Sequence, residues 1–111
     1  MEHEASHCLN HWVAQAAGWE HSHGNIYRLF DEGWQLLPHF SGDVGSAYRL
    51  MEWVWEREPH AHIHRDRIEL EYERTPLGSV TVRIIRGPTF PLRACRAALW
   101  LALTQQSAEK R

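Results

Sequence analysis

Arg67-Ile68-Glu69-Leu70-Glu71-Tyr72, followed after a break by Val80-Thr81-Val82-Arg83-Ile84 and then by the segment opening at Pro91, is the stretch that decides the fold. In both runs apolar residues alternate with polar ones, the period of a strand with one face buried and one in water. Ile68, Leu70 and Tyr72 share one face of the first run, Glu69, Glu71 and Glu73 the other, while Val80, Val82 and Ile84 share a face of the second. Thr75-Pro76-Leu77-Gly78 supplies turn chemistry: Pro presets φ at the second position and Gly suits the tight fourth. A register opposing Tyr72 with Val80, Leu70 with Val82 and Ile68 with Ile84 gathers these apolar side chains and sets Glu69 across from Arg83. On that reading a one-residue slip would turn the glutamates inward. Each such side chain contributes roughly 1.5–3 kcal/mol on full burial, so the face requires a cover.

The rest of the chain supplies it. Pro91 stands where a missing N–H is harmless in a first helical turn, and Leu92, Cys95, Leu99, Ala102 and Leu103 form an apolar stripe behind it. Ala94 and Ala98 allow close approach, Arg93 and Arg96 point elsewhere, and the polar stretch 105–111 is expected to fray. Upstream, Leu9, Trp12, Val13 and Ala16 fall at helical spacing between a capping Ser6 and a stop at Gly18. Trp19 to Phe40 reads as a packed connection holding at most a short element, because Gly24, Asn25, Gly33 and Pro38 interrupt any period. A second helix starts near Ser41, presents Val44, Ala47, Tyr48, Met51, Val54 and Trp55, and ends before Pro59. His60-Ala61-His62-Ile63-His64 then reads as an edge strand. The expectation is one α+β domain over residues 1–111: two N-terminal helices, a three-stranded antiparallel sheet and a C-terminal helix, with the helices packed on the sheet.

Composition narrows the classes. The chain has 111 residues, 43% of them hydrophobic and 23% charged, within the range of one ordinary globular domain. A formal charge of −2 opposes a whole-surface footprint for nucleic acid. No run approaches the ~18 apolar residues of a membrane span, and the N-terminus lacks signal-peptide character, so a cytoplasmic protein is expected. The 2 cysteines, Cys8 and Cys95, are too few for a disulfide framework.

Three stretches resemble the phage ABA sandwich domain family, small proteins of phages and prophages. Thr89-Phe90-Pro91-Leu92-Arg93-Ala94-Cys95-Arg96-Ala97-Ala98-Leu99 is similar to that family's closing pattern. Pro38-His39-Phe40-Ser41-Gly42-Asp43-Val44 looks like its Pro-x-Tyr-Ser-x-Asp-Ile helix opening, with Phe40 for the usual Tyr and Gly42 for Thr. Leu9 to Glu20, with Gly18-Trp19, resembles the N-terminal helix and its stop. The resemblance implies the fold and a phage or prophage association; the family has no settled activity, so it assigns no catalytic residue.

Several patterns bear on chemistry. His3-Glu4-Ala5-Ser6-His7 has the H-E-x-x-H form of a zinc site, but it begins at a chain end instead of on a buried helix, and the bland reading is a solvated helix end. His60, His62 and His64 would share one side of a strand, a geometry suited to zinc or another divalent transition metal; the competing reading is a polar row that protects an exposed edge. His21 and His23 could add a ligand. Cys95 lies on the apolar stripe and reads as a buried inert thiol. Arg83, Arg86, Arg93 and Arg96 could form a basic patch of an RNA-binding module, opposed by Glu69, Glu71 and Glu73. Trp34, Trp53 and Trp100 could present an aromatic contact surface. No catalytic set emerges, and the leading expectation is a non-enzymatic protein-binding module that uses Trp53, Trp100, Arg93 and Arg96 to contact a host or phage protein or another copy of itself.

Overall fold

Residues 7–29, 33–74, 76–78 and 80–109 are described by a computed structural model. They form α1 (His7–Ala16), β1 (Glu20–His21), β2 (Ile26–Arg28), β3 (Gln35–Leu36), α2 (Val44–Arg57), β4 (His62–Ile63), β5 (Arg67–Arg74), β6 (Val80–Arg86) and α3 (Phe90–Glu109). The α+β class is as expected, but there are two antiparallel sheets, ordered β1-β2-β3 and β4-β5-β6. The small first sheet occupies the stretch read as a connection. Tyr27 is fully buried at its centre, with its hydroxyl 2.6 Å from Nδ1 of His11 on α1. Strands this short carry no readable period, which is why the sequence hides them.

The helix ends follow local chemistry. Gly18 adopts φ +86, Trp19 N–H donates to Ala14 O at 3.0 Å and Gly18 N–H to Gln15 O at 3.2 Å, a left-handed stop of the Schellman type. The cap of α2 is Asp43, whose carboxylate accepts from Ser46 N–H at 2.7 Å, and not Ser41. Ser41 is buried and gives both its N–H (2.9 Å) and its hydroxyl (2.7 Å) to Oδ1 of Asn10, tying α1 to the turn before α2. The buried face of α2 is Ala47, Leu50, Met51 and Val54; Val44 and Tyr48, expected inside, are about half exposed. Thr89 Oγ1 accepts from Leu92 N–H at the start of α3, and the helix continues to Glu109, through most of the stretch expected to fray.

The hairpin corrects the expected register. Ile68 pairs with Ile85, Leu70 with Arg83, Glu69 with Ile84 and Glu71 with Val82; Glu73 pairs with Thr81, so β5 carries one extra residue at a bulge beside Tyr72. The doublet Ile84-Ile85 permits this, because either parity of β6 buries an isoleucine. Ile85 goes inside, and the offset is absorbed by β6 instead of turning the glutamates inward. Val82 and Ile84 consequently lie on the wet face at 43% and 46% exposure. The proposed pairing of Glu69 with Arg83 is lost with them.

The helix α3 is the hub. It contacts β5 and β6, and α1 and α2 pack against it, so it covers the apolar sheet face. Leu92, Ala94, Cys95, Ala97, Ala98 and Leu101 are all buried, a wider belt than the expected stripe; Leu103 is exposed.

Candidate functional site

A groove of about 320 Å³ runs between β6 and α3. Arg96, Leu99, Trp100 and Leu103 recur at helical spacing and line one wall; Arg83, Ile84, Ile85 and Arg86 line the other. Leu103 is 64% exposed. The Arg83 guanidinium stands 5.8 Å from the Trp100 ring centroid, a cation–π arrangement. Arg96 Nη1 donates to Arg86 O at 2.8 Å, and Arg86 reaches Asp66 at 3.7 Å. The groove is apolar on its floor and cationic on its rim.

Among the described residues β6 pairs with β5 alone, so its far side is a sheet edge. The direction of its backbone groups follows from two bonds. Arg86 O accepts from Arg96, while Arg67 O, its register partner, accepts from His64 N–H at 2.8 Å on the opposite flank. That pair therefore turns its polar groups away from each other, and antiparallel alternation turns those of Ile84 and Val82 toward the edge as well.

The residues singled out from the sequence divide between this groove and other places. Trp100 and Arg96 belong to it. Arg93 does not: it is 8% exposed, and its guanidinium donates to Gly87 O (2.9 Å) and Arg65 O (3.2 Å), pinning the start of α3 to two loops. Trp53 lies on α2, under the Arg57 guanidinium at 4.0 Å, beside a separate hollow of about 120 Å³ lined also by Trp19, Phe40, Arg49 and Glu56. Ile84, Leu99 and Leu103 were missed as site residues, and Arg83 and Arg86 entered the sequence reading only as members of a basic patch. The spacing of Arg96, Leu99, Trp100 and Leu103 could have found part of the set; the parity of β6 hid the rest.

The histidine row does not gather. His60 sits in the exposed turn before β4, the rings of His62 and His64 are 6.3 Å apart, and His64 Nε2 lies 3.2 Å from Oε1 of Glu69. Arg67 donates to the other Glu69 oxygen at 2.8 Å, and this bond, followed by the charge of His64, holds the Glu69 carboxyl below the usual carboxylate range. Among the described residues no three His, Cys, Asp or Glu side chains are placed to hold a metal ion. The H-E-x-x-H pattern lies outside the described residues but for His7. His21 instead stacks on Tyr27 at 4.5 Å and contacts Gly24 O at 2.9 Å.

Compared with protein-family models, with curated proteins and with solved structures, the chain matches none. No described helix is long and apolar enough to cross a membrane.

Proposed function

We propose that the chain is a non-enzymatic protein-binding module, of the phage or prophage kind its motifs resemble, and that the groove between β6 and α3 is its contact surface. The observation that carries this reading is the convergence of Trp100, Leu99, Leu103 and Ile85 on one open groove rimmed by arginines. Tryptophan and arginine are the residue types that dominate binding energy at protein interfaces, and an apolar floor with a polar rim is the anatomy of such a site. The arginines support a protein contact more than RNA, since Arg93 is buried, Arg86 faces Asp66, and Glu69 and Glu71 stand on the neighbouring strand.

The test is a photocrosslinking residue introduced at Leu103, with the same residue at exposed Glu56 on α2 as control. Polypeptide adducts from position 103 and none from 56 are expected in cells producing the protein. Adducts to nucleic acid, or equal yields from both positions, would overturn the reading.

A further inference from the structure

We infer that the groove takes an extended segment of another protein as an added strand on β6, and that this segment alternates acidic with apolar residues. This rests on the protein-binding reading above and specifies the partner's chemistry.

The edge supplies the first requirement. Val82 and Ile84 turn their N–H and C=O groups away from β5, which is the ladder an incoming strand needs. The opposite edge of this sheet is β4, only 2 residues long, so β6 is the edge with useful length. Side chains set the second requirement. On the wet face Val82 and Ile84 form an apolar row that an added strand would extend with apolar neighbours of its own. On the α3 side Arg83, over the Trp100 ring, and Arg96 line the groove with Leu99 and Leu103, a setting for carboxylates with aliphatic stems.

Charge decides among occupants. A second copy added through β6 would bring Arg83, Arg86 and Arg96 against their own equivalents, and like charges across neighbouring strands are destabilising. An acidic strand meets the same rim with the opposite sign. Single-stranded RNA carries the right sign, but it has no backbone donors and acceptors at ladder spacing.

The experiment uses the whole chain and a synthetic nonapeptide alternating valine and glutamate, with binding followed by calorimetry and by backbone amide shifts. Binding is expected, with shifts confined to β6 and the 96–103 segment of α3. Arg83→Glu should weaken it at least about tenfold, the cost of one charge-assisted contact. A peptide N-methylated at alternate residues should not bind detectably, and neither should one with lysine for glutamate. Ile84→Pro removes an outward N–H while sparing the ladder to β5, and should cost a similar factor; should that variant fail to fold, the N-methylated peptide still tests the ladder. Equal binding of the lysine and glutamate peptides, indifference to N-methylation, tighter binding of oligouridylate at the same residues, or sedimentation as a dimer that Ile84→Pro dissolves would each sink the proposal. Protein adducts from position 103 alongside a silent peptide would reject strand addition and leave the protein-binding reading standing.

Discussion

Asn10 is 3% exposed, and its single carbonyl oxygen accepts from both the N–H and the hydroxyl of Ser41. Replacing it with alanine deprives two buried donors of this acceptor. Asn10→Ala should cost about 1–3 kcal/mol in a denaturant melt, more than a typical surface substitution; an unchanged midpoint would show that water fills the role at no cost. The sequence could not reveal this bond, because it joins residues 31 apart. It made Ser41 a helix cap on residue type alone, when Asp43, two positions on, has the extended φ −112 and ψ 125 of a cap and holds Ser46 N–H. At Gly42 an added Cβ would stand 2.6 Å from the His39 ring, so a larger residue there requires that ring to turn away. Burial of Cys95 and the place of Pro91 in the first turn of α3 were legible because each follows from spacing within the helix.

At the scale of elements, the end of α1 was legible and the parity of β6 was not. Gly18 stops the helix in the left-handed region, so Gly18→Ala should cost about 1–2 kcal/mol from the Cβ clash that region imposes. Thermal melting would register this as a loss of several degrees, and no loss would mean the chain leaves α1 by another path. The hairpin shows the limit of reading by alternation. Ile68 and Leu70 of β5 share one parity and are buried as that pattern directs. β6 holds Ile84 next to Ile85, and what fixes its parity lies outside its own pattern: the bulge beside Tyr72 and the bonds joining Arg86, Gly87, Arg93 and Arg96. The candidate groove was therefore only half visible. Its α3 wall could be read at helical spacing; its β6 wall required the register.

Across the whole molecule, the α+β class and all three helices were legible, whereas the first sheet and the central position of α3 depended on tertiary contacts. That position makes a chemical prediction. Cys95 is fully buried on α3, and burial pushes its thiol up to about 12, while Cys8 is exposed. A thiol reagent at neutral pH should label one site in the native protein and both in denaturant, with the second appearing at the rate of global opening. Mass spectrometry of timed samples would read this, and fast native labelling of Cys95 would contradict the packing. The hub also sets an order of events during synthesis. β5 and β6 lie on one side of the assembly and α1 and α2 on another, yet each group finds its cover in α3, the last of these elements to be translated. A ribosome that has reached Gly87 holds a chain with two bare apolar surfaces and nothing yet to close them. Folding of this protein is therefore held back until α3 emerges, and the nascent chain before that point is a natural client for chaperones that bind exposed hydrophobic segments.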